Sequence, residues 1–224
     1  MTVYTDLTRV RGQYKVVLAD CPWTYAGDTD KPQAAGKHYN MMSFKDLAAI
    51  PVWRLFDGHG VLMCWATGPL LDQAIDLIRA WGLHYRGVAY VWVKTTRAGE
   101  VIEGQGVRPS FVKSLNEFVL IGSTQPRGRT LPLMTESQGQ NVFAPRPDGV
   151  HSRKPDEVRW RIEELFGDVP RIELFARVQH PGWDQFGLEA DGAMPSTDAR
   201  SPKLQARLAE QESYREAMAL LDQL

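Results

Sequence analysis

KVVLADCPWTYAG, Lys15 to Gly27, is the stretch on which the fold turns. Four apolar residues, Val16, Val17, Leu18 and Ala19, run straight into an acid and then Cys-Pro-Trp. A continuous apolar run reads as a strand covered on both faces, as in a parallel sheet. Ligands of open parallel sheets gather outside the carboxyl ends of the strands, so an acid released there points into a crevice. Pro22 fixes the backbone and carries no N–H, which leaves neighbouring carbonyls as acceptors. Trp23 adds a wide π-face, on which a flat base stacks for ~1–3 kcal/mol. Acceptors beside a stacking surface suit the exocyclic amine of a planar heterocycle. The competing reading is a plain turn with a packed tryptophan.

Outward from this strand, further short apolar runs read as buried strands: Gly60–Trp65, Tyr90–Val93, Phe118–Gly122 and Arg171–Phe175. Between them lie segments of helical period. Pro69–Trp81 carries Leu70, Leu71, Ala74, Ile75, Leu77 and Ile78 on one face and stops at Gly82. Lys154–Phe166 opens with Pro155 as a first-turn residue, then Asp156 and Glu157 at the positive end of the helix dipole. Alternating strands and helices predict an α/β fold with a mostly parallel sheet. Gly27–Met42, Thr95 to Lys113 and Ser123 to Ser152 show no period and read as long loops, a length that points to binding or disorder. Residues 1–190 form the predicted domain. Residues 191–224 read as a polar linker and a charged C-terminal helix.

The totals narrow the class. In 224 residues, 43% hydrophobic and 24% charged, there is room for one sizeable core. Lys+Arg 26 against Asp+Glu 27 gives a net charge of −1, so nucleic-acid binding would need a local basic patch. Cys21 and Cys64 stand apart without CxxC or histidine spacing, which reads as two reduced thiols and no metal site. The first residues lack an apolar h-region, and no apolar run approaches the roughly 18 residues that cross a bilayer, so a soluble, cytoplasmic protein without membrane contact is expected.

Beyond VVLADCPWTY, the segments GKHYNMMSFKDL (36–47), VWVKTTRAG (91–99), NEFVLIG (116–122), HSRKPDEV (151–158), RIELFAR (171–177) and GWDQFGLE (182–189) occur in a fixed order. Together they resemble the MT-A70 family of S-adenosylmethionine-dependent adenine-N6 methyltransferases, and DCPW resembles its DPPW motif. The resemblance implies a Rossmann-like methyltransferase fold in circularly permuted order, with the catalytic motif early and the cofactor strand late. It implies methylation of adenine N6 in nucleic acid, with DNA preferred. RNA as substrate, an inactive scaffold of the same fold and methylation of cytosine are the alternatives.

Residue by residue, the resemblance assigns Asp20 and the Cys21 and Pro22 carbonyls to the amine and Trp23 to the base. S-adenosylmethionine would meet Ser152, Lys154, Glu173, Phe175, Arg177 and Glu189. Lys154, at a helix start, is expected on the donor carboxylate. His38 and Tyr39, beside the catalytic loop, and the basic Lys94, Arg97 and Arg108 are expected at the nucleic acid, which a flipped base would require to be gripped. Two positions depart from the family pattern. Cys21 replaces a proline, which is tolerable where the backbone carbonyl acts. Leu188 stands where relatives carry a hydrogen-bonding side chain, which bears on donor affinity. No target-recognition domain is visible, and homodimerisation is left open.

Overall fold

A computed structural model describes residues 1–4, 6–7, 10–24, 41–102, 115–147 and 153–187. Its elements are β1 (Val3–Tyr4), β2 (Tyr14–Ala19), α1 (Phe44–Ala48), β3 (Phe56–Thr67), α2 (Leu71–Ala80), β4 (His84–Thr95), β5 (Glu117–Ser123), β6 (Asn141–Pro145), α3 (Asp156–Phe166), β7 (Arg171–Leu174) and β8 (Asp184–Phe186). They build one eight-stranded sheet in the order β1-β8-β7-β2-β3-β5-β4-β6. Every strand runs parallel to the others except β5, which is antiparallel to both β3 and β4.

The apolar run that opens the argument is the centre of this sheet. Ala19 is in register with Leu174 of β7 on one side and Cys64 of β3 on the other. Successive side chains of β2 go to opposite faces, as the two-residue period of a strand dictates. Val17 and Ala19 join Leu62, Cys64 and the α2 residues Ala74, Leu77 and Ile78 in one core. Val16 and Leu18 join Val61, Met63 and the α3 residues Val158, Ile162 and Phe166 in the other. Helices therefore cover both faces, which is why β2 is apolar almost throughout.

The helices end as their sequences require. Gly82 (φ +74°) follows α2, and Gly167 (φ +70°) follows α3 while donating its N–H to Glu163 O at 2.8 Å. Both positions ask for a left-handed residue, which glycine supplies without a Cβ penalty. Pro155 is the N-cap of α3 rather than a first-turn residue, and it offers no side-chain cap.

Three corrections follow. The span from Ser123 to Ser152, expected as loop, contains β6, and β1 and β8 were not foreseen. All three are short strands at or near the sheet edges, and the burial of β6 alternates, so its sequence lacks a long apolar run. Arg171–Phe175 ends as a strand at Leu174, because Phe175 turns to φ +61°. The reading of 191–224 as linker and helix lies outside the described residues. Among the described residues, no helix is long and apolar enough to cross a membrane.

Candidate active site

The carboxyl ends of the parallel strands converge at Asp20. It leaves β2 with its backbone N–H on Leu174 O (3.3 Å), so the chain is still held by β7 as the acid emerges. The next residues form a tight turn: Trp23 N–H donates to Cys21 O at 2.9 Å, and Met42 N–H to Pro22 O at 2.8 Å. Each of these carbonyls keeps a second lone pair, because a carbonyl oxygen accepts two hydrogen bonds. Trp23 is 5% exposed and sits in the core on the α2 side, with an indole N–H that has no partner among the described residues. A base reaches its face only by displacing what covers it. The Cys21 thiol is buried, and burial followed by the neighbouring Cys64 pushes its pKa well up.

Lys154, just before α3, reaches Asp20. Its Nζ donates to Asp20 Oδ2 at 2.9 Å and lies 3.5 Å from Glu117 Oε2. Burial opposes the charge on Lys154, but Asp20 and Glu117 outweigh it and hold the ammonium above the ordinary lysine range. The sequence led us to expect this lysine on a donor carboxylate; its described partners are two protein acids. Glu117 is shared in turn with Lys94, whose Nζ donates to Oε1 at 2.7 Å. Burial would raise the Glu117 pKa, yet Lys154 and Lys94 together lower it. Lys94, expected at the nucleic acid, thus lies inside the site, 4.8 Å above the Trp92 ring. Lys154 lies 5.7 Å from the ring of Trp65.

A second cluster adjoins the first. Glu173 of β7 is 3% exposed and takes Arg159 of α3 on both carboxylate oxygens. Burial opposes the Arg159 charge, and Glu173 outweighs that to raise its pKa. Arg159 also donates to Asp156 at 3.2 Å, and Arg153 to the other Asp156 oxygen at 3.0 Å. His180 lies with its Nε2 3.7 Å from Asp156. Burial, then Arg159 and Arg153, push its pKa down to about 2, so the imidazole is neutral. Phe175 meets Phe186 edge-on at 6.0 Å. Arg177 is close enough to Lys154 for its charge to act there. Arg97 follows β4 and is exposed. Ser152, Glu189, His38, Tyr39 and Arg108, with Leu188, lie outside the described residues.

Sequence reasoning missed Glu117, Arg159 and His180 as parts of this cluster. Glu117 stood in a quoted segment, but only the antiparallel direction of β5 brings its first residue to the end of the sheet where Asp20 lies.

A mostly parallel sheet covered by helices, with an acid and a lysine paired at its carboxyl ends, is consistent with the fold of an α/β methyltransferase. The chain belongs to the MT-A70 family, whose profile matches residues 14–189. It is 30% identical over 196 residues to the Type II methyltransferase M.MunI of Mycoplasma sp, covering 80% of this chain and 78% of that protein. It is 29% identical over 192 residues to the N(6)-adenosine-methyltransferase MT-A70-like protein of Drosophila melanogaster, and 27% identical over 192 residues to the N(6)-adenosine-methyltransferase catalytic subunit METTL3 of Homo sapiens. Those two matches cover 84% of this chain but only 29% and 30% of the longer proteins.

Proposed function

We propose that this protein transfers a methyl group from S-adenosylmethionine to the N6 amine of adenine in DNA. The observation that carries the reading is the Asp20 carboxylate, held by Lys154 at the carboxyl end of β2 beside two carbonyls with spare lone pairs. The order of the segments, with Asp20 early and the β7 strand late, is read as a circular permutation of the methyltransferase chain. DNA is favoured because M.MunI, named a Type II methyltransferase, is matched over most of its length. RNA is the alternative that the METTL3 match supports.

The residues present fit the donor. The start of α3 carries no side-chain cap, and Arg153 Nε is a buried N–H without a hydrogen-bond partner among the described residues. A donor and a helix N-terminus suit a carboxylate. When bound, S-adenosylmethionine supplies a sulfonium methyl whose C–S bond breaks as the amine nitrogen makes the new C–N bond.

The chain's own part is geometry and electrostatics. Asp20 accepts one amine N–H and a Cys21 or Pro22 carbonyl the other, which turns the nitrogen lone pair toward the methyl. The carboxylate then stabilises the positive charge that builds on nitrogen. No strong base is required, because the nitrogen gives up its proton, to the Asp20 carboxylate that already accepts that N–H, only after the C–N bond has formed. Trp23 supplies the stacking face.

The test gives purified protein a labelled methyl donor with single-stranded DNA, duplex DNA and RNA of one sequence, followed by nucleoside analysis. Label in N6-methyladenine from DNA is expected, and Asp20→Ala should abolish it while donor binding persists. Label in N6-methyladenine from RNA alone moves the substrate to RNA. Label in N4- or 5-methylcytosine overturns the assignment, and no label on any substrate favours a scaffold.

A further inference from the structure

Asp20 is linked to Glu117 through one ammonium group. Lys154 bonds Asp20 Oδ2 at 2.9 Å and lies 3.5 Å from Glu117 Oε2, while Lys94 bonds Glu117 Oε1 at 2.7 Å. All four side chains are nearly closed to solvent, at 9%, 14%, 15% and 12% exposure for Lys154, Asp20, Glu117 and Lys94. Each acid faces an ammonium, which a buried cluster requires because an unpaired charge there is costly. Among the described residues nothing donates to Asp20 Oδ1.

We propose that Glu117 is a positioning residue for methyl transfer: with Lys94 it fixes Lys154 on Asp20 Oδ2, so that Oδ1 is turned to accept the substrate amine. The inference rests on the adenine methyl transfer proposed above. A lysine side chain has a long flexible stem, and a single partner leaves its ammonium free to swing about that partner. Two acids from separate segments, one just past β2 and one opening β5, remove that freedom, and Lys94 keeps Glu117 ionised and in place. Glu117→Gln retains the shape of the side chain but removes its charge. Lys94 and Lys154 then face each other over a neutral amide, and Lys154 shifts relative to Asp20. A misplacement of the order of 1 Å at a reacting group can cost about 100-fold in rate.

The experiment uses the full chain. Turnover is measured for wild type and Glu117→Gln on the adenine oligonucleotide, and donor affinity is measured separately by calorimetry. The expected result is a kcat lower by about 10–100-fold, with the Kd for S-adenosylmethionine within about twofold of wild type. To separate positioning from a loosened fold, the same proteins enter a double-mutant cycle with Asp20→Asn in urea unfolding. Groups joined in one ionic network are non-additive there, by about fivefold or more in the unfolding constant. An unchanged kcat, a donor Kd that weakens in step with kcat, or an additive cycle overturns the proposal. If wild type methylates nothing, the functional reading fails by itself. The cycle then decides alone whether Glu117 and Asp20 are coupled through Lys154.

Discussion

Arg159 and Glu173 are 5% and 3% exposed and share two hydrogen bonds, so each is the other's answer to burial. Removing one partner of such a pair strands a charge and costs about 3–5 kcal/mol. Glu173→Gln should lower the unfolding free energy by that order in urea titration. A variant that keeps its stability but binds donor poorly would instead put the carboxylate at the donor. His180 sets a pH dependence. Its pKa is about 2 in the fold against 6.5 when unfolded, so below pH 6.5 the unfolded chain takes up a proton that the folded chain refuses. Stability therefore falls as pH drops through that window, by up to about 1.4 kcal/mol per pH unit. Glu157, whose pKa burial raises, acts in the opposite sense, since the fold then binds its proton more readily. The difference in stability between wild type and His180→Gln, measured from pH 6.5 to 5, isolates the histidine term and should shrink with falling pH. At this scale the sequence revealed which residue types were present but not who meets whom. Lys154 and Asp20 are 134 positions apart, and a helix start predicts an anion for the lysine without saying that the anion is a side chain of the same chain.

Among the elements, β2, β3, β4, β5 and β7 were legible because apolar residues dominate them, although β7 buries the charged Glu173 between Ile172 and Leu174. Strands β1 and β8, of two and three residues, were too short for periodicity to register, and β6 alternates exposed and buried. The direction of β5 could not be read from NEFVLIG, since a buried strand has the same pattern either way. That direction carries consequences. With β5 inserted between β3 and β4, Glu117 stands in register with both Thr67 and Trp92 at their carboxyl ends. The opposite end of β5 needs a residue without a side chain. A Cβ at Gly122 would lie 2.9 Å from Ile78 Cγ2 and 3.3 Å from Leu62 Cβ, so α2 rests directly on the strand there. Gly122→Ala should cost about 1–3 kcal/mol by overpacking, seen as a lower midpoint in urea with an unchanged m-value. No loss of stability would mean that α2 shifts freely, contrary to the close fit of the core.

For the whole molecule, a net charge of −1 means that nucleic acid is not drawn in by a general positive field. Of the basic residues that the sequence offered for the task, Lys94 is already engaged by Glu117. Each phosphate contact contributes about −0.9 to the slope of log K against log salt. A grip on no more than about four phosphates should give duplex binding a slope no steeper than about −4, measured by fluorescence anisotropy over a salt series. A slope near −10 would require an extended basic surface. The sheet itself has a further consequence. Strand β2 is bonded on both sides over Val16–Ala19, and its side chains are shielded by both cores. Its amides should exchange with deuterated water only when the entire domain opens. The Asp20 carboxylate thus follows immediately after amides expected to exchange only on global opening, and deuterium uptake at Ala19 would record global stability one residue from it.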